Sequence, residues 1–222
     1  DRPNVLLSGE VYSAPADPLR DLHVPNLTRP IVVDGRTNDW DQPGLDPRSD
    51  AVWTESGGLF SFRYRVGRRG AFVFVLFEVQ EDRVVLRDPS RGDLAGNDQL
   101  RISLVTADDQ FLRFAVDAEA DGPVTAWLLS DDGSQLRDNR IGGVFRTTAD
   151  GYLAELRLPR TLIGPRLSLA VVDVDDPETR TLVGQLGETA TARESLGTVL
   201  VPSPEISAVS YTHLRAHETK AN

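Results

Sequence analysis

The residues able to do chemistry in this chain are carboxylates and three tryptophans. The stretch RDPSRGDLAGND, Arg87 to Asp98, places Asp88, Asp93 and Asp98 in a long connection between two strand-like runs. Oxygen-rich loops of this kind can hold a hard cation or the hydroxyls of a ligand. Arg87 and Arg91 stand among the acids and could neutralise them, so a solvated loop is the favoured reading and a metal or ligand loop the alternative. A second acidic stretch, DVDDPE from Asp173 to Glu178, superficially suggests calcium. It puts Pro177 where a sharp ligand loop needs glycine, and it lacks the EF-hand spacing. No metal-ligating cluster is therefore expected, and no metal is assigned.

Catalytic devices are poorly represented. Cysteine is absent, which removes thiol chemistry, thiolate metal sites and disulfides. Outside the last residues the one histidine is His23, so general-base work would fall to carboxylates. No Asp/Glu pair is singled out by spacing for glycoside hydrolysis. Phosphate-cradling glycine motifs are missing. The expectation is a non-enzyme with no catalytic residue and no cofactor. The tryptophans offer a different use, since rigid aromatic rings stack against the apolar face of a pyranose. The candidate ligand-binding set is Trp53 and Trp127 for stacking, with Asp93, Asn97 and Asp98 for hydroxyl hydrogen bonds. Trp127 lies in the apolar run VTAWLLS and reads more readily as a core ring than as a platform.

The elements that must position these residues are strands. LFSFRYRVG alternates, with Phe60, Phe62, Tyr64 and Val66 opposing Ser61, Arg63 and Arg65. AFVFVLFEV is apolar on both faces and predicts a central strand. The arginine-bearing Gly67–Gly70 links the two as a hairpin, and PIVVDG predicts a further short strand. QLRISLV and QFLRFAVDA flank a turn at Asp108-Asp109, VTAWLLS ends at DDGS, and GGVFRTTADGYLAELRLP folds about Ala149-Asp150-Gly151. RLSLAVVDV and GTVLV supply a buried and a closing strand, and PRTLIG a single helical turn. The sustained 3.6-residue period of an α-helix is missing throughout. Many short strands punctuated by Gly, Asp and Pro predict an all-β fold, a single antiparallel β-sandwich of jelly-roll type.

Composition bounds the partners. Lys+Arg 24 against Asp+Glu 34 gives a net charge of −10, which disfavours nucleic acid and anionic lipid. No apolar run approaches the ~18 residues of a membrane helix. Residues 1–29 are proline-rich and predict an extended arm, and residues 30–207 the sandwich. Residues 208–222 contain VSYTHLRAHET, which resembles a translated sequencing adapter, and they carry the only lysine, Lys220. That tail is expected to be foreign and unpacked. The chain starts at Asp1 and has no methionine, so it reads as a piece of a longer protein.

One further pattern joins these segments. IVVDGRTNDWD, then AFVFVLFEVQEDRV, then GNDQLRISL resemble the carbohydrate-binding module family 9-like (DOMON-like) β-sandwiches across about Pro30 to Val201. The resemblance implies that Asp34-Gly35 makes a turn and that Trp40 plugs the end of the sandwich. It departs at Arg101, where an acidic residue is common, which weakens any carried-over calcium or sugar contact there. More narrowly, the arm with DRVVLRDPSRGDLAGNDQL, TADGYLAELRLP and LAVVDVDDPETR resembles the extracytoplasmic region of proteobacterial sensor histidine kinases of dedicated sortase systems. This implies a periplasmic module of a two-component signalling protein, anchored in the inner membrane. Its partners would be the membrane helix and kinase core of its own chain, a second copy through the parent kinase, and a glycan or envelope protein as ligand. A binding module of a secreted polysaccharide-degrading enzyme and a structural spacer are the rival readings.

Overall fold

The computed structural model describes residues 22–53, 59–92, 94–176, 181–187 and 196–200. The described strands are β1 (Leu22–His23), β2 (Arg48–Trp53), β3 (Leu59–Arg69), β4 (Phe72–Gln80), β5 (Gln99–Val105), β6 (Phe111–Asp117) and β7 (Gly122–Pro123). After them come β8 (Thr125–Leu129), β9 (Gln135–Arg137), β10 (Gly142–Thr148), β11 (Gly151–Pro159), β12 (Arg166–Asp176), β13 (Thr181–Gly187) and β14 (Val199–Leu200). A 3₁₀ turn at Arg160–Leu162 is the helical turn read from PRTLIG. Two six-stranded antiparallel sheets, β2-β3-β4-β11-β10-β7 and β13-β12-β5-β6-β8-β9, face each other, and β1 pairs in parallel with β14. The fold is the expected all-β sandwich.

The alternation read from LFSFRYRVG decides its facing. Phe60, Phe62, Tyr64 and Val66 point into the main core, with Val73, Val75, Phe77 and Val79 of β4, while Leu100, Ile102, Leu104, Phe114 and Val116 come from the opposite sheet. The β3–β4 hairpin is tighter than the glycines suggest. Pairing continues to Arg69↔Phe72, and Gly70 at φ +57° turns the chain together with Ala71. Gly67 is a seat rather than a turn: a Cβ there would fall 2.5 Å from the Leu27 side chain.

Three readings of the N-terminal part change. PIVVDG forms no strand; Ile31 and Val33 pack as side chains instead. The described end of the arm is built into the body, with Leu22 and Val24 in the main core. Trp40, 1 % exposed, does not plug the sandwich end. It lies in a second apolar cluster with Leu27, Ile31 and Leu45, against Phe74 and Leu76 on the outer face of the first sheet. That cluster explains why β4 is apolar on both faces.

A buried carboxylate organises this cover. Glu155 of β11, 0 % exposed, accepts the backbone N–H of Asp34 at 2.8 Å and those of Gly35 and Arg36. Its other oxygen accepts the Trp40 indole N–H at 2.6 Å. Gly35 has the positive φ, +75°, that the turn requires. The Asp39 carboxylate accepts the Val32 N–H at 2.6 Å. The Asp-Gly…Trp motif is thus a clamp closed on Glu155. Burial pushes the Glu155 carboxyl above its ordinary range, against the pull of the Trp40, Gly35 and Asp34 donors.

The β10–β11 hairpin turns through Ala149-Asp150, as the sequence predicts, with Thr148 opposite Gly151. Gly151 has φ +137°, and a Cβ there would sit 2.2 Å from the Val79 carbonyl oxygen. Backbone strain and overpacking each cost about 1–3 kcal/mol. Gly151→Ala is expected to lower stability by about 3 kcal/mol in denaturant melts. A loss below about 1 kcal/mol would mean the hairpin relaxes freely.

Candidate functional site

The connection between β4 and β5 carries chemistry to two places. Neighbours Asn97 and Asp98, both buried, point into different surroundings. The Asp98 carboxylate accepts the N–H of Val85 at 2.5 Å and of Val174 at 2.8 Å. It thereby ties the connection to β12. Carboxylate oxygens of Glu81, Asp98 and Asp173 lie within 4.8 Å of one another, all three residues buried. Glu81 follows β4, Asp98 precedes β5 and Asp173 sits within β12, so the group lies between the sheets at one end of the sandwich. Tyr152 of β11, 1 % exposed, brings its hydroxyl to the same region, and that hydroxyl has no hydrogen-bond partner among the described residues. Burial first, then the charges of Glu81, Asp98 and Asp173, push the tyrosine well above its ordinary value.

Three carboxylates so placed repel. Two unit charges 4 Å apart cost about 4 kcal/mol at an effective dielectric constant of 20. A hard divalent cation with oxygen ligands would reverse that sign. The donor set fits such an ion: all ligands are oxygen, with backbone carbonyls or water needed to complete six to eight. Reading each acidic stretch by itself did not point to this group. Spacing within one loop cannot reveal acids delivered from three separate places along the chain, and of DVDDPE the structure assigns Asp173 alone to the group.

Asn97 faces the other way. Its side-chain amide donates to the Asp98 carbonyl oxygen at 2.7 Å and lies beside Asp117 of β6, whose carboxylate accepts the Trp127 indole N–H at 3.1 Å. Arg87 lies 3.6 Å from Asp117, makes a 2.9 Å ion pair with Glu119, and lays its guanidinium 4.4 Å from the centroid of the Trp127 ring. Such cation–π contacts contribute about 0.5–2 kcal/mol. Burial holds the Asp117 carboxyl above its usual range, against the opposing pull of Trp127 and Arg87. Trp127 is partly exposed on the outer face of the second sheet. It lines a cleft of about 340 Å³ with Arg87, Glu119, Asp121, Thr125 and Arg137. Two larger clefts, about 500 and 650 Å³, have Tyr64 in one and Phe62 and Tyr152 in the other, and those rings are buried.

Of the five residues expected at a ligand site, the structure hydrogen-bonds Trp127 to Asp117, buries Asn97 nearby and sends Asp98 to the acidic group. Trp53 ends β2, but its side chain falls outside the described residues, as does Asp93 altogether. Sequence reasoning missed Asp117, Glu81 and Asp173. Alternation places Asp117 on the outer face of β6, opposite Thr125 and beside Trp127, which was the available signal.

No protein-family model and no curated protein matches the chain. Solved structures do, and they define the class: the β-sandwich seen in carbohydrate-binding modules. A carbohydrate-binding module of family 9 from Caldicellulosiruptor kristjanssonii, in complex with cellotriose, superposes with a TM-score of 0.56 at 14 % identity, covering 86 % of this chain and 97 % of that one. Its glucose complex gives 0.52 at 13 % identity, covering 83 % and 97 %. A candidate carbohydrate-binding protein from Bacteroides uniformis gives 0.56 at 11 % identity, covering 82 % and 99 %. At such identities the likeness establishes the fold.

Proposed function

We propose that this chain is a non-catalytic carbohydrate-binding module that takes its glycan on the outer face of the β13-β12-β5-β6-β8-β9 sheet. The observation that carries the reading is Trp127, the partly exposed ring in a described cleft, held by Asp117 and Arg87. The shared sandwich of the family 9 modules supports it. A rigid ring oriented by a buried acceptor loses little freedom on binding, which favours recognition of a weak ligand.

The periplasmic, membrane-anchored kinase setting implied by the narrower resemblance would make the same cleft an input site. The solved structures favour the alternative, a carbohydrate-binding module such as those of polysaccharide-degrading enzymes. The full-length gene separates the two: a kinase core downstream supports the sensor, and a polysaccharide-degrading domain overturns it.

Titration of a panel of neutral and acidic oligosaccharides, followed by calorimetry and tryptophan fluorescence, tests the proposal. Dissociation constants between about micromolar and millimolar are expected for the best ligand. Trp127→Ala is expected to weaken it at least tenfold while the variant still unfolds cooperatively. If no glycan binds at millimolar concentration, the module reading is wrong and the spacer reading replaces it.

A further inference from the structure

We infer that a divalent cation bound by Glu81, Asp98 and Asp173 controls the Trp127 cleft, acting through the connection between β4 and β5. This rests on the carbohydrate reading above for what the cleft takes, and it adds the control of that site. The acidic group has a feature beyond its like charges. Tyr152, 1 % exposed, brings beside it a hydroxyl with no partner among the described residues, close enough for the charges of all three carboxylates to act on it. A buried hydroxyl left unmatched is what an oxygen-ligated ion, or water bound to one, would complete.

One connection runs from the acidic group to the cleft. Asp98 and Val85 form a closed pair. The Asp98 N–H donates to the Val85 carbonyl oxygen at 3.0 Å, and the Val85 N–H donates to the Asp98 carboxylate at 2.5 Å. Two residues on, the Arg87 N–H donates to the Ala118 carbonyl oxygen at 2.9 Å, and the Arg87 guanidinium lies 4.4 Å from the centroid of the Trp127 ring. Leu86, between them, packs against the main core. Ala118 leads into Glu119, Ala120 and Asp121 of the cleft wall. On the near side of Asp98, the Asn97 amide donates to the Asp98 carbonyl oxygen and lies beside Asp117, the acceptor of the Trp127 indole. The residue that closes the acidic group therefore also anchors the backbone that delivers Arg87 to the indole.

With no ion bound, the three carboxylates repel one another. Asp98 feels that repulsion at the oxygens that hold Val85 and Val174. A divalent cation replaces repulsion by attraction and fixes Asp98 where its two amides need it. Fixing Val85 fixes the path to Arg87, so the loaded form presents Arg87, Glu119 and the indole in one arrangement. A site ordered before its ligand arrives loses less freedom on binding. Coupling between two sites typically changes affinity by about 5- to 150-fold, and by the same factor in both directions.

Calcium alone is the first probe, titrated into the whole chain and followed by amide and indole resonances. The amides of Val85, Asp98 and Val174 are expected to shift, and the Arg87 amide and the Trp127 indole N–H to shift along the same saturation curve. Shifts confined to the acidic group overturn the coupling, and so does the absence of any saturable shift. Cellotriose is the second probe, measured by calorimetry in calcium and in EDTA. It is expected to bind about fivefold or more tightly in calcium, and calcium to bind tighter by the same factor in its presence. Asp173 lies outside the cleft, so Asp173→Asn is expected to bind cellotriose as the parent does in EDTA, whether or not calcium is added. A variant that keeps the full calcium response overturns the assignment of the ion to this group. Equal cellotriose affinity in calcium and in EDTA overturns the control while leaving a carbohydrate module. If neither cellotriose nor any other oligosaccharide of the panel binds, the carbohydrate reading falls, and the indole response alone decides whether the cation acts on the cleft.

Discussion

Glu155→Ala is expected to lower the unfolding free energy by about 4 kcal/mol, among the largest losses available to one substitution here. The carboxylate holds three backbone N–H groups and the Trp40 indole, all from one irregular segment. A hydrogen bond to a charged group contributes about 1.5–3 kcal/mol, and a buried donor left without an acceptor costs about 1–3 kcal/mol. Against this stands relief from burying the charge, which the raised carboxyl already signals. Loss of the clamp would also loosen the apolar cover that Trp40, Ile31 and Leu27 place on Phe74 and Leu76. Trp40→Phe, which keeps a ring and removes one donor, should cost about 1–2 kcal/mol. Denaturant melts of the two variants and of the double variant measure the coupling. Additive losses would mean that Glu155 and Trp40 act separately, and the clamp would be wrong.

Asp98→Ala should cost about 3–4 kcal/mol in calcium, because Val85 and Val174 both lose a buried acceptor. Asp98→Asn separates the roles of this residue. It removes one of three mutually repelling charges, so in EDTA its cost should be about 1 kcal/mol. In calcium the parent gains the linkage energy of a bound ion, about 2.7 kcal/mol at a hundredfold excess over the dissociation constant, which the variant forfeits. The gap between parent and Asp98→Asn should therefore widen on adding calcium. An identical gap in calcium and in EDTA would show that Glu81, Asp98 and Asp173 hold no cation, and that Asp98 serves the backbone alone.

The strands were legible because each carries its own signal. Alternation in β3, the unbroken apolar run of β4 and the Ala149-Asp150-Gly151 hairpin are local patterns, and the structure keeps them. PIVVDG failed for a physical reason: β-branched residues favour pleated surfaces, but Ile31 and Val33 have a sheet face to lie on and no strand to pair with. Glu155 was invisible for the complementary reason. By alternation it faces outward from β11, where a carboxylate normally meets water, and only the docking of residues 31–40 buries it. The acidic group could not be read either. Its members are 17 and 75 residues apart along the chain, and their meeting depends on how the sheets stack. Asn97 and Asp98 were singled out together as ligand residues, yet adjacent residues on an extended backbone point to opposite sides. Asp98 joins the acidic group, and Asn97 is buried on the side of Asp117.

Mapping backbone amide shifts on titrating the best-binding oligosaccharide tests the central claim most directly. The account predicts that the perturbed amides cluster at Arg87, Asp117, residues 119–127 and Arg137, on the outer face of the second sheet. Perturbations centred instead on Ser61, Arg63, Glu78 and Gln80, which line the larger cleft of the opposite sheet, would contradict it.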